Sequence, residues 1–436
     1  MSEKMPKVLI LSINAWQDQS PNHTLSDIFS WWDRDKLAHI YIRAGVPSTK
    51  VCDKFLKINE NAVIKSVLKR NLKTAKEVHN CTGEMDAQEM AELLEEQKRY
   101  GKRRKKYSWP KAIMREMVWS LGKWKTQELR DFVDEFSPDV IFLQMHSVIY
   151  MSKIQNYIVK YAKKPVVCYL TDDSYSYVNC KGNLLAMAHR FCLRKQIRRM
   201  MKNCNKLFVM SPKAAEICSE MFNTQCAILT KALDYSKLTY SEAQVSEPIK
   251  MLYTGRLVIG RANALIHIAR AIENINAEGI RITLDIYSSD NLSEDILKEL
   301  ECKGVHFRGE VDREETERLQ KEADIVVFAE SLDKENINTA RISFSTKITE
   351  YFASGRCIFA LGSREIAPMD YLIKEDAAVA VTDYADIEAA LRKLCDNPEL
   401  IKEYGKKAFE CGNRNHNDKV VYSSFMDTMC KVAREK

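Results

Sequence analysis

This sequence predicts an α/β chain with two doubly wound domains in tandem, facing across a cleft, and three observations predict it. Apolar runs of strand length alternate with helical periodicity along nearly the whole chain, the pattern of parallel sheets covered by helices on both faces. The alternation lapses between Leu233 and Pro248, where Ser, Thr and Glu replace the periodicity, and then resumes. A length of 436 residues, 45% of them hydrophobic, suffices for a full core in each half. The domains are then 1–240 and 241–414, with a C-terminal helix over 415–436 able to pack back on the first. In such folds a ligand lies outside the carboxyl ends of the strands.

In the first half, apolar runs place strands at 8–13, 39–42, 139–143, 165–170, 206–210 and 226–229, with helices at 86–100, 113–136, 184–203 and 213–221. The second half repeats the scheme. Strands fall at 250–253, 282–287, 305–307, 324–328, 357–361 and 378–381, and helices at 262–277, 293–303, 313–322, 345–354, 386–395 and 398–411. A last amphipathic helix runs from Asp418.

Bulk properties exclude several classes. No apolar run reaches the roughly eighteen residues of a membrane span. The chain enters its first strand within a few residues, so no signal peptide is expected ahead of it. There are 13 cysteines, an odd number, and Cys168, Cys226, Cys302 and Cys357 lie inside apolar elements. Cys168, Cys180, Cys192 and Cys204 recur at even spacing, but without a Cys-x-x-Cys pair or paired histidines they make no metal site. Reduced, buried thiols in the cytoplasm fit better. The net charge of +7 is concentrated in 98–111, a basic run interleaved with Tyr100, Tyr107 and Trp109 and followed by Trp119 and Trp124. Aromatics with Lys and Arg suit an anionic membrane surface. They also suit a solvated loop whose tryptophans pack inside; nucleic acid is the less apt partner.

The most informative stretch is Arg341–Gly355. It lies between two apolar strands and turns helical, with Ile348, Tyr351 and Phe352 on one face and Gly355 as a stop. Ser343, Ser345, Thr346 and Lys347 therefore sit at a helix mouth, where free amides and the positive dipole end favour anions. Glu350, one turn further in, is placed to accept hydrogen bonds from hydroxyls. Phosphate ligands beside a carboxylate suit a sugar nucleotide. A second loop, Tyr253-Thr254-Gly255-Arg256-Leu257-Val258-Ile259-Gly260-Arg261, ends the first strand of the second half and opens a helix. Its glycines permit a tight turn, from which Arg256 and Arg261 present planar forks that match phosphate oxygens.

These two segments resemble the nucleotide-binding signature of GT-B glycosyltransferases, in the large retaining family four (glycosyl transferases group 1), whose fold is two Rossmann-like domains. The resemblance is specific over about 250–408 and architectural before that. The second loop is similar to that group's Gly-Arg-Leu-x-x-x-Lys, with Arg261 in the place of Lys, so the resemblance implies that Arg256 and Arg261 grip the donor diphosphate. Val305–Val311 resembles the loop that holds the base, with Gly309 at its turn. Ile228–Asp234 stands where the group has Pro-Asn-Gly-Val-Asp, and only the register and Asp234 match. The resemblance thus implies donor-binding roles for Arg256, Arg261, Gly309, Ser345, Thr346, Lys347 and Glu350. It implies catalytic roles for Arg256 and Lys347, which would stabilise the leaving diphosphate.

The sequence also departs from that group. Ile342 occupies the position, eight before Glu350, where many members carry a second glutamate, and the nearest polar residues are Arg341, Asn338 and Glu330. Asn14–Gln19 lacks the usual Gly-Gly loop. Asp172 and Asp173 end a buried strand where the group has a His-Asp pair. They are candidates to orient sugar hydroxyls or take the acceptor proton, although a solvated strand exit reads the same way. His146, at another strand end, reads as structural. The implied function is transfer of a sugar from a nucleotide-diphosphate sugar, a UDP-sugar foremost, to a glycan or lipid-linked hydroxyl, with neither metal nor cofactor. The alternatives are a nucleotide-sugar epimerase of similar architecture, and a non-catalytic scaffold that binds nucleotide or glycan.

Overall fold

The computed structural model describes residues 5–18, 24–43, 45–81, 109–180, 183–242 and 244–435. It divides into two compact units. The first draws on the chain up to Met210, on Ala215–Leu229 and on the chain from Tyr422. The second comprises Ser211–Ala214 and Thr230–Val421.

The first unit is built on eight strands: β1 (Val8–Leu11), β2 (Leu37–Tyr41), β3 (Lys54–Ile58), β4 (Ala75–Val78), β5 (Val140–Gln144), β6 (Val166–Leu170), β7 (Lys206–Val209) and β8 (Cys226–Ile228). Their order is β4-β3-β2-β1-β5-β6-β7-β8, parallel throughout except where β4 runs against β3. Strands β1, β2 and β6 are buried along their full length, which is why they read as continuous apolar runs. By contrast β3 and β4 were not expected. Both carry charged residues, Lys54, Lys57, Lys76 and Glu77, in keeping with β4 as the edge of the sheet and β3 as the strand next to it.

Two helix expectations are corrected. The stretch 113–136 is two helices, Trp109–Leu121 and Gln127–Phe136. They part at Gly122, where a Cβ would lie 2.5 Å from Val63 Cγ1, and Thr126 restarts the chain by accepting from the Leu129 amide. The helix Ile149–Ala162 was missed. Its N-cap residue, Val148, makes no side-chain cap. Instead the Glu116 carboxylate accepts from the Ile149 and Tyr150 amides, each at 2.8 Å, a cap supplied from 33 residues away. The helix expected at 86–100 lies outside the described residues. Near the C-terminus, Phe425 packs edge-on against Phe29 and Phe208, with ring centroids 5.4 and 5.3 Å away.

The second unit has six strands, all parallel: β9 (Ile249–Thr254), β10 (Ile282–Tyr287), β11 (Val305–Gly309), β12 (Ile325–Ala329), β13 (Cys357–Leu361) and β14 (Val379–Val381). Each coincides with an expected strand to within two residues. The order β11-β10-β9-β12-β13-β14 reverses direction between β9 and β12. Those two strands pair only at Ile325↔Met251 and Val326↔Leu252, so they part toward their carboxyl ends. A crevice at such a switch point is where doubly wound sheets bind ligands.

Candidate active site

The loop leaving β9 and the helix Lys347–Ser354 meet at this crevice. Gly255 has φ +140°, a conformation closed to other residues, and a Cβ there would fall 1.5 Å from Lys347 Nζ. Glycine is thus needed twice over, for its backbone and for the ammonium that occupies the vacant space. Lys347 Nζ donates to the Thr254 carbonyl at 2.8 Å and lies 5.3 Å from the centre of the Tyr253 ring. Burial, followed by the positive charge of Arg261, pulls the Lys347 pKa down to about 8.

Arg261 opens the helix Arg261–Ile275, behind Gly260 at φ +72°. Its Nη2 donates to Glu330 Oε1 at 2.6 Å, and the Glu330 side chain is only 6% exposed. Glu330 directly follows β12, on the other side of the switch point. Arg256 is the most exposed of the three cations. Its Nε donates to Asp290, whose second oxygen accepts from the Leu257 amide at 2.6 Å. Asp290 follows β10 and was not singled out from the sequence. It braces the loop while leaving the rest of the Arg256 guanidinium presented outward.

Glu350 receives an ion pair that the sequence did not disclose. Lys231 Nζ lies 2.7 Å from Glu350 Oε1, with the lysine side chain 3% exposed and the glutamate 30%. The Lys231 carbonyl is held as well, by Thr349 Oγ1 at 3.3 Å and by His416 Nδ1 at 3.2 Å. A carbonyl only accepts, so Nδ1 carries the proton, and Nε2 accepts from the Tyr371 hydroxyl at 3.2 Å. Burial keeps His416 neutral, with its pKa lowered to about 4. In sequence Lys231 is one lysine at a strand exit. Only the fold brings it to a residue 119 positions away.

Ser345 and Thr346 lie at the mouth of the same helix, and Thr346, as N-cap, makes no side-chain cap bond. Gly309 ends β11 with φ +81° and open space where a side chain would stand. Ile342 is buried, so it offers no polar group at the place of the missing glutamate.

Asp172 and Asp173 belong to the first unit, at the carboxyl end of β6. Asp172 is exposed and accepts from Thr171 Oγ1 at 3.1 Å. Asp173 is buried, and its carboxylate accepts from the Tyr175 and Ser176 amides and the Ser176 hydroxyl. It therefore organises the loop in which it sits. Arg190, Arg194 and Arg198, one helical turn apart, hold the same loop by donating to the Asp173 carbonyl, the Tyr175 carbonyl and the Tyr175 hydroxyl. His146 accepts from the Ile13 amide at 3.2 Å, and burial lowers its pKa to about 3.

The basic, aromatic stretch 98–124 is described from Trp109 onward; 98–108 lies outside the described residues. Trp119 and Trp124 are no interfacial anchors. Both are buried, Trp119 stacks on Tyr150 at 4.8 Å, and Trp124 Nε1 donates to the Trp119 carbonyl. Among the described residues no helix is long and apolar enough to cross a membrane.

Two α/β units of this topology, with Arg256, Arg261 and Lys347 gathered at the switch point of the second, define a GT-B fold. Solved structures with that fold align over nearly the whole chain. HepE of Anabaena in complex with UDP shares 12% identity at a TM-score of 0.62, over 98% of this chain and 100% of that one. Sucrose-phosphate synthase of Thermosynechococcus elongatus shares 11% at 0.59, over 98% of each chain. A UDP-forming α,α-trehalose-phosphate synthase of Burkholderia vietnamiensis shares 10% at 0.58, over 99% and 98%. More particularly, residues 248–397 match the family model of glycosyl transferases group 1. No curated protein matches the chain by sequence.

Proposed function

We propose that this chain is a glycosyltransferase, moving a sugar from a UDP-sugar to a hydroxyl of a glycan or lipid-linked glycan. The observation that carries the reading is the pairing of Lys347 with Arg261 in a crevice that holds Lys347's pKa down to about 8. Within the crevice Arg261 has Glu330 as partner, while among the described residues Lys347 donates to a neutral carbonyl, that of Thr254. A diphosphate would relieve that repulsion. HepE and the trehalose-phosphate synthases, as named, bind or form UDP, which favours uridine as the base.

In the reaction the bond between sugar and diphosphate breaks, and negative charge grows on the β-phosphate. Lys347 and Arg261 are already in place to receive it, and Arg256, on its exposed loop, closes on the same oxygens. Glu350, fixed by Lys231, offers its carboxylate to the ribose hydroxyls. Asp173 is committed to its own loop, so the proposed route is one with retention in which the acceptor oxygen bonds to the anomeric carbon and its proton passes to the leaving β-phosphate oxygen; Asp172, at the same strand end, is proposed to orient the acceptor. A hexose donor, a place in polysaccharide synthesis and work at the cytoplasmic side of a membrane complete the proposal.

The test is UDP release from a panel of UDP-sugars, with and without glycan acceptors, and the anomeric configuration of the product by NMR. Transfer with retention, abolished by Lys347→Ala, is the expected result. Binding without UDP release would mean a scaffold, and conversion of the sugar without acceptor would mean an epimerase.

A further inference from the structure

A surface of the first unit, distant from the nucleotide crevice in sequence and chemistry, has a composition that a water-facing surface does not need. The helix Trp109–Leu121 turns Met114, Met117 and Leu121 outward, and the helix Leu184–Met201 does the same with Leu184, Met187 and Phe191. Five of these six are 59% or more exposed, and Met187 is 43% exposed. On each helix the spacing is i, i+3, i+7, so each set lies along one stripe. The helices touch, with His189 3.3 Å from Glu116 and its ring 5.6 Å from that of Trp109. Scattered apolar residues on a surface need no explanation; two stripes on adjoining helices do.

The same two helices border a groove of about 2070 Å³, to which Ser120 and Arg199 contribute. It lies at the amino ends of β5, β6 and β7, beside Asp139, Pro165 and Asn205, so it is no part of a site at the strands' carboxyl ends. Its walls carry seven Lys and Arg, among them Lys125, Lys153, Lys160 and Lys163, against two acids, Asp139 and Glu435. Both acids are engaged, Asp139 by the Lys7 amide and Glu435 by Asn205. Among the described residues none of the seven cations is ion-paired. The helix Leu184–Met201 contains no acidic residue at all.

We propose that this face docks the protein on an anionic phospholipid bilayer, with the methionine, leucine and phenylalanine stripes entering the acyl boundary and the basic groove meeting headgroups. An acidic glycan would satisfy the groove but leave the stripes in water. A neutral apolar partner would cover the stripes and strand the cations. An anionic bilayer accounts for both, because its charge lies directly beside its apolar layer. This places the anchor on residues other than the tryptophans that the sequence suggested. As the place where a lipid-linked acceptor is met, the surface rests on the glycosyltransferase reading; as a lipid-binding surface it is tested without it.

The experiment is co-sedimentation of the full chain with phosphatidylcholine vesicles, with and without phosphatidylglycerol. Binding is expected only to the anionic vesicles. Lys153→Gln, Lys160→Gln and Arg199→Gln together should weaken it roughly a hundredfold, at ~1 kcal/mol per cation. Met117→Ser with Phe191→Ser should weaken it at least about tenfold. Nucleotide binding in solution should be the same in every variant, which shows that the fold is intact and keeps this test separate from that of the proposed function. Equal binding to neutral and anionic vesicles, or variants that bind like the parent, would overturn the proposal. So would self-association that the apolar variants abolish in a chain that ignores vesicles, since the stripes would then be covered by a second copy.

Discussion

If Lys347 pairs with a donor phosphate, binding must carry a proton signature. Lysine ordinarily titrates near 10.5, and in the crevice burial and Arg261 bring Lys347 down to about 8. A phosphate dianion beside it reverses both causes, so the bound-state pKa returns toward the ordinary value. The sign follows: the free protein holds the proton less tightly than the complex, so affinity is highest below about pH 8 and is lost as pH rises through it. With a free-state pKa of about 8, roughly nine-tenths of Lys347 is charged at about pH 7, half at about pH 8 and a tenth at about pH 9. UDP should therefore bind about tenfold more weakly at about pH 9 than at about pH 7, approaching a limit near ~300-fold if the ordinary value is fully restored. Calorimetry in buffers of different ionisation enthalpy reads the same event directly, as uptake of about half a proton at about pH 8 and nearly one at about pH 9. Uridine, which lacks the phosphates, should show no uptake. Lys347→Arg, whose guanidinium does not titrate in this range, should flatten the profile. A UDP affinity that is level across this range, or an unchanged slope in Lys347→Arg, refutes the placement of the diphosphate at Lys347.

Other perturbations test the surroundings of that lysine. Gly255→Ala forces a side chain onto the Lys347 ammonium at a backbone angle alanine avoids, so it should weaken UDP binding more than tenfold (about 1.4 kcal/mol) with a lesser effect on uridine, measured by calorimetry. Glu350→Gln should cost about 1–3 kcal/mol in UDP binding and almost nothing with a 2′,3′-dideoxy analogue. Lys231→Met, by releasing Glu350, should erase the same discrimination; a parental preference for the ribose in either variant counts against the pair. Three buried histidines, His39 and His146 with pKa values near 3 and His416 near 4, are neutral when folded but titrate near 6.5 when unfolded. Their contribution is full above about 6.5 and is lost as pH falls toward 4. At about pH 5 each should cost about 2 kcal/mol of stability, so urea midpoints should drop steeply over that interval, and less steeply in His416→Gln.

The alternation of strand and helix was legible because each strand carries an apolar run, whole in β12 and β13, which are buried along their full length, and alternating in β10, and all six strands of the second unit lie within two residues of an expected one. The two loops that carry the candidate site were legible for a similar reason. Gly255, Arg256 and Arg261, and then Lys347 and Glu350, are each grouped within a few residues on one local element, so their spacing already orders them. The edge strand β4 and its neighbour β3 escaped notice because charged residues interrupt both, and the helix from Ile149 did because its cap is Glu116 rather than a neighbour. Tertiary structure alone decided that Lys231 reaches Glu350, that Asp290 braces Arg256 and that Glu330 holds Arg261. It also turned Trp119 and Trp124 inward and Met114, Met117 and Phe191 outward. Composition could state that the basic stretch held aromatic residues. Which of them face water depends on what the helix packs against, and that partner, Tyr150, comes from another part of the chain.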